Sequence, residues 1–332
     1  MASYLFLIGG LFLGWVFGRN NISNLFGAAV FTRMVTIKTA AIIAVIFVTL
    51  GAFISGGGTS ESMLQLGQPQ TMADAFVICG AAGLVMWMMT VRGIPVSIAQ
   101  AMVGSVVGYS LFQGGVPQPV VLLKTVSAWG YSPFLAVAVS FLVFKCMRAF
   151  LKVAPMSLLY RDVFTRCGLI VVGAFSGYAL GANNIATISM PYFIASGMAG
   201  IGITALICIA VGIGFLTADK KVIKTMGSGL FPLTPLEALI VVFSGALTLF
   251  LFSWGGLKAL LTYYGLPSFP LVPVPMTSAV IGSIIGVSFA KGGYGLKYSM
   301  LGHVILSWIL TPFLGGLICW ALMLILSYGV IK

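Results

Sequence analysis

Acidic side chains are nearly missing from this chain: five Asp and Glu in 332 residues, against 17 Lys and Arg. Charge of either sign makes up 7%, where a soluble domain carries about 25%. With 60% hydrophobic residues and a mean hydropathy of +1.14, that scarcity excludes a soluble globular enzyme. One histidine, His303, and five cysteines without a CxxC pair leave zinc or iron without a ligand set. Glu61, Asp74, Asp162, Asp219 and Glu237 all fall toward the ends of apolar runs. Neither a carboxylate cluster for Mg²⁺ nor a buried carboxylate proton carrier is therefore expected. His303 lacks a Gly-x-Ser-x-Gly partner motif, which removes a serine hydrolase. The first seventeen residues carry no charged side chain, so the basic start of a signal peptide is missing and they read as a first helix. A net charge of +12 reads here as basic loops on one membrane face, not as a nucleic-acid surface.

What is abundant is long apolar sequence. Runs of about 20 residues suit helices that cross a bilayer, and they lack the two-residue alternation of an outer-membrane barrel. The chain reads as an all-α polytopic membrane protein. A first segment over 4–31 is interrupted at Gly18-Arg19-Asn20-Asn21, and spans follow near 39–55, 71–90, 95–112 and 119–144. After a basic stretch the pattern restarts with 167–196, interrupted at Gly181-Ala182-Asn183-Asn184, then 200–217, 235–256, 273–290 and 298–328. The expected organisation is a first repeat over 1–150, a basic cytoplasmic linker over 151–166 and a second repeat over 167–332.

The halves resemble one another. Gly18-Arg-Asn-Asn-Ile-Ser-Asn24 aligns with Gly181-Ala-Asn-Asn-Ile-Ala-Thr187. The segment from Pro95 to Gly108 aligns with that from Pro273 to Gly286, keeping Pro, Val, Ala, two Gly and a Ser; Trp129 and Pro133 recur as Trp308 and Pro312. Five spans per repeat, an odd number, force the second copy upside down. With both termini outside, the Lys and Arg near 33–38, 92, 145–166, 220–224 and 291–297 gather inside, and only Lys124, Lys258 and Lys332 fall outside. Inverted repeats with broken or re-entrant helices are a secondary-transporter pattern, with the site near the midplane.

The interruptions are where chemistry is expected. A half-helix N-terminus offers free N–H groups and a positive dipole end, which suit an anion. Ser97 and Gln100 in one copy, and Thr277 and Ser278 in the other, stand beside these ends as neutral polar groups. Paired amides at mid-span, Asn20-Asn21 and Asn183-Asn184, are costly without partners. Ser105 and Ser283 read as small residues at helix contacts, and His303 as a packing or backbone-bonded residue before a proton relay. Arg19 is the one charge placed near the bilayer middle. It holds an oxyanion, bonds structural carbonyls, or lies closer to an interface than its place in the run suggests.

At these residues the sequence resembles the inorganic phosphate transporter (PiT) family. That family carries a GANDVAN-type motif in each half, followed by a PVSTTH-type motif, and a stretch like Lys221-Val-Ile-Lys-Thr-Met-Gly-Ser-Gly-Leu-Phe-Pro-Leu-Thr-Pro235. The resemblance covers essentially the whole chain. It implies a homodimeric, inverted-repeat importer of phosphate coupled to Na⁺ or H⁺, some relatives carrying sulfate, in the cell (inner) membrane and without a further cofactor. Asn21 and Asn184 stand where the family has Asp, and Gln100 and Ser278 where it has His. Carry-over to substrate binding covers Asn20, Asn183, Ser97 and Thr277, with Asn21, Asn184, Gln100 and Ser278 as substitutions and Arg19 as an added charge. A Na⁺ ion is expected near Asn20, Asn24, Asn183 and Thr187.

Losing two carboxylates removes hard ligands for Na⁺ and acceptors for the proton that phosphate carries. That tilts the site toward sulfate while the family default favours phosphate. A passive anion channel could use the same half-helices. Phosphate transport by alternating access is the leading reading, with a sulfate permease as the alternative.

Overall fold

The computed structural model describes residues 2–154, 157–196 and 200–327, and their regular structure is entirely helical. The first half holds α1 (Ala2–Leu5), α2 (Leu7–Phe31), α3 (Ile37–Ser55), α4 (Gly57–Leu66), α5 (Met72–Val91), α6 (Ile98–Phe112) and α7 (Pro119–Val153). The second begins with α8 (Leu158–Leu180), which runs through a π-helical turn, Gly181–Ile185, into α9 (Ala186–Ser196). Then come α10 (Gly200–Leu216), α11 (Lys220–Lys224) with a second π turn at Thr225–Gly229, α12 (Pro235–Leu251), α13 (Gly255–Tyr263), α14 (Met276–Ala290) and α15 (Tyr298–Ser327). Lys332 lies outside the described residues.

Five described helices are long and apolar enough to cross a membrane, or seven when two bent pairs, α10–α11 and α12–α13, each count as one. The ten expected spans are thus not ten full crossings. At 15 residues each, α6 and α14 reach about 22 Å, short of the ~30 Å hydrocarbon layer. Phe134 and Leu142 on α7, and Ile309 and Phe313 on α15, face outward, as lipid-facing side chains do.

One expectation about the chain path is corrected. The Gly18–Asn21 interruption is no break: α2 runs straight through it. The second copy is interrupted only by its π turn. Much of the stretch over 151–166 is helical, since α7 extends to Val153 and Ser157 caps a new helix that starts at Leu158.

The halves repeat element for element. Ile37, Gly57 and Met72 open helices whose counterparts open at Gly200, Lys220 and Pro235, at one constant displacement. Past α12 the displacement grows, since α13 and its flanks have no counterpart between α5 and α6.

Packing crosses between the halves. A Cβ on Gly104 or Gly108 of α6 would fall on the Pro312 or Gly316 carbonyl of α15. A Cβ on Gly282 or Gly286 of α14 would fall on the Pro133 or Val137 carbonyl of α7. Small residues let membrane helices approach this closely, where water-driven burial gives no help. Each half-helix is therefore held by the long proline-bearing helix of the other half. Gly18 does the same for α2 against Val211 and Gly214 of α10, which accounts for the glycine without a break.

Candidate functional site

Proline explains where α6 and α14 begin. Pro95 and Pro273 lack an N–H and hold the residue before them extended, so residues 94–97 and 271–275 form no helix. Their freed peptide groups need partners inside the bundle. Asn20 supplies them in one copy: Nδ2 donates to the Ile94 carbonyl at 3.3 Å, and Oδ1 accepts from the Val96 N–H at 3.2 Å. Asn183 repeats the arrangement, donating to the Val272 carbonyl at 3.3 Å and accepting from the Val274 N–H at 2.8 Å. Each amide bridges the peptide groups on either side of a proline. Thr90 Oγ1 accepts a further bond from Asn20 Nδ2 at 2.9 Å.

The half-helix starts are tied to each other. Thr277, in the first turn of α14, donates to the Val96 carbonyl at 3.2 Å and accepts from Asn24 Nδ2 at 3.1 Å. Hydrogen-bond logic fixes the amide orientations here. Only Nδ2 of Asn21 can donate to the Phe17 carbonyl (3.1 Å), so its Oδ1 accepts from Asn24 Nδ2 at 2.8 Å. Asn24 Oδ1 is then left over. Ser97 caps α6 by accepting from the Gln100 N–H at 3.4 Å, and Ser278 donates to the Pro275 carbonyl at 2.8 Å. Pro275 gives α14 no side-chain cap.

Four buried side-chain atoms on α2, α6 and the π turn after α8 have no partner: Asn24 Oδ1, Gln100 Oε1, and both Nδ2 and Oδ1 of Asn184. Leaving a buried polar group unmade costs about 1–3 kcal/mol. With the starts of α6 and α14, these side chains offer three carbonyl oxygens and one amide donor, chemistry that can hold a protonated oxyanion or a hard cation beside an anion.

The structure sorts the expected site residues. Asn20 and Asn183 are clamps, both ends of each amide bound to backbone. Of the four residues expected around Na⁺, Asn24 alone keeps a side-chain oxygen without a partner; Thr187 donates to the Asn184 carbonyl at 2.6 Å. Arg19 lies apart from these bonds: its guanidinium pairs with Asp219 at 3.5 Å and lies 4.9 Å from the Trp15 ring centre, while its Nε is buried without a partner. Two residues along a helix point to nearly opposite sides, so Arg19 turns away from the side where Asn21 meets Asn24. His303 is exposed, with Nδ1 against the Ser299 carbonyl at 2.7 Å. Ser105 and Ser283 bond helix carbonyls.

Two features escaped the sequence reading. Thr71 and Asp74 form a capping box on α5, and Thr234 and Glu237 form one on α12. Asp74 accepts from Tyr109 Oη near the end of α6 at 3.2 Å, and Glu237 pairs with Lys291 just past α14 at 2.9 Å. Each acid thereby ties the far end of a half-helix to the start of its partner helix. The signal was present: Thr-x-x-acid recurs at the same displacement as the neighbouring helices.

Comparison with known proteins bears on the family and the fold. The phosphate transporter family matches residues 17–268. The chain is 25% identical to a protein of Pyrococcus horikoshii named "putative phosphate permease", with 95% of each chain covered. It is 29% identical to a sulfate permease of Bacillus subtilis, covering 95% of this chain and 84% of that protein. A solved structure described as the sodium-dependent phosphate transporter shares the fold, with a TM-score of 0.79 over 98% of this chain and 100% of that one at 22% identity. On the family match, which takes in both Gly-x-Asn-Asn motifs and the first proline break, this multi-pass membrane protein belongs to the phosphate transporter family.

Proposed function

We propose that the protein is a secondary active transporter that carries inorganic phosphate by alternating access. The anion would sit between the N-termini of α6 and α14, with Ser97 and Asn184 as donors, Asn20, Asn21 and Asn183 holding the frame, and Thr277 and Ser278 donating only by giving up their bonds to the Val96 and Pro275 carbonyls. The observation that carries this is the set of unpaired amide oxygens on Asn24, Gln100 and Asn184. Phosphate at neutral pH bears a proton that needs an acceptor, whereas sulfate offers none, so sulfate would leave those oxygens unsatisfied. Sulfate is the second reading. It is favoured by Asn at both positions where the family carries Asp, and by the sulfate permease relative.

A Na⁺ ion fits the same oxygens, which are neutral hard donors; H⁺ coupling is the other option, since the described residues place no carboxylate in the cluster. The repeats over 1–150 and 167–332 would rock against one another. The basic loops lie on the cytoplasmic side of the cell membrane in this reading, with both termini outside, and the protein forms a homodimer.

Uptake of labelled phosphate and sulfate by reconstituted vesicles, with and without Na⁺ and H⁺ gradients, tests it. Accumulation of phosphate against its gradient is expected. Uptake that only equilibrates would make the protein a channel, and uptake of sulfate alone would install the second reading.

A further inference from the structure

Lys124 and Lys258, the two described lysines at the end of the molecule assigned to the outside, face one cavity. It measures about 400 Å³ and is lined by Glu61, Ser62, Gln65, Lys124, Lys258 and the segment 270–272. Lys124 comes from α7 and Lys258 from α13, one from each half. Among the described residues none of the three charged side chains has an ion-pair partner. The floor belongs to the clamp that positions α14: Ser62 Oγ donates to the Leu271 carbonyl, and Asn183 Nδ2 donates to the Val272 carbonyl. An occupant of the cavity would therefore touch the chain that leads into the transport site.

α13 has no counterpart in the first half, and none of its residues is buried. Packing does not account for it. What it contributes is Lys258 at the rim of this cavity.

We propose that the cavity is a capture site for the oxyanion, occupied before it reaches the half-helix N-termini, with α13 as the element that completes it. The inference rests on the transport reading above and deepens it. Two lysines without ion-pair partners on one cavity raise the local anion concentration. Glu61 makes the site selective: a protonated phosphate can donate its hydroxyl to the carboxylate, whereas sulfate has no proton to donate and meets only repulsion.

The test is uptake kinetics in vesicles at low and high ionic strength, for Lys124→Gln, Lys258→Gln, Lys258→Arg and Glu61→Gln, with exposed Lys38→Gln as the control at the opposite end. Each lysine-to-glutamine change is expected to raise the KM for phosphate about fivefold at low salt with kcat unchanged, the difference shrinking at high salt. Lys258→Arg should restore KM, and Glu61→Gln should let sulfate compete about tenfold better. Wild-type uptake combined with an unchanged KM in both lysine variants overturns the capture site and leaves the transport reading standing. A wild-type protein that moves neither anion overturns both.

Discussion

The two Gly-x-Asn-Asn copies carry nearly the same sequence and build different sites. In α2 the helix is regular, and Asn21 uses both ends of its amide, one on the Phe17 carbonyl and one on Asn24. In the second copy the backbone widens into a π turn, and Asn184 has no partner for either amide atom. π turns inside α-helices often accompany functional sites. The first Asn of each copy does the same job, clamping the chain across a proline. The second Asn is a buttress in one copy and carries an unpartnered amide in the other. Duplication kept the scaffold and let the contact residues diverge.

The clamps are where this comparison breaks most visibly. Asn20→Ala strips partners from the Ile94 carbonyl and the Val96 N–H, and Asn183→Ala strips them from Val272 and Val274. Two buried backbone groups left unmade cost about 2–6 kcal/mol in each case. Thermal unfolding in detergent should show comparable losses for both variants, and uptake should fall at least about 30-fold because the half-helix termini lose their positions. A large loss in one copy with none in the other would mean that the mirrored geometry hides unequal roles.

Asn184 and Asn21 give the sharper contrast. Asn184→Ala should weaken phosphate binding about tenfold while leaving stability unchanged or slightly raised, since it deletes two unsatisfied buried atoms. Asn21→Ala should do the reverse, lowering stability by about 1–2 kcal/mol because Asn24 loses the acceptor that orients it. Equilibrium phosphate binding and unfolding measured on the same preparations separate the two. An exchange of these outcomes would reverse the assignment of ligand and buttress.

How much of this was legible in the sequence depends on the kind of interaction. Membrane class, duplication and the proline breaks could be read directly, because composition and recurring Gly, Pro and Asn report backbone constraints. The interruption at Gly18–Asn21 was misread. Glycine and asparagine weaken a helix in water, but here Gly18 serves the close approach of α10 and the amides find partners within the bundle. Which end of an amide is left over depends on bonds between residues as distant as Asn24 and Thr277, and no local pattern encodes that. The capping boxes were legible and went unread. Their loss should cost less than the clamps: Asp74→Asn and Glu237→Gln should each lower stability by about 1 kcal/mol. Glu237→Gln should be the more salt-sensitive of the two, since its carboxylate also pairs with Lys291.

Arg19 brings the smallest expected effect on transport and tests the geometry most directly. Its charge is the obvious candidate for an anion ligand, yet a carboxylate already meets it. Asp219 Oδ2 stands 3.5 Å from Nη2, with side-chain exposures of 14% and 23% for the two residues. Asp219 also caps α11 by accepting from the Lys221 N–H at 2.9 Å, so Arg19 joins α2 to the bend between α10 and α11. Arg19→Ala should lower stability by about 1–2 kcal/mol, and a double-mutant cycle with Asp219→Ala should recover part of that as coupling between the two. The KM for phosphate should stay within about twofold of wild type. A tenfold rise in KM that the double variant does not repair would return Arg19 to the anion, because loss of a structural pair alone cannot produce it once Asp219 is gone.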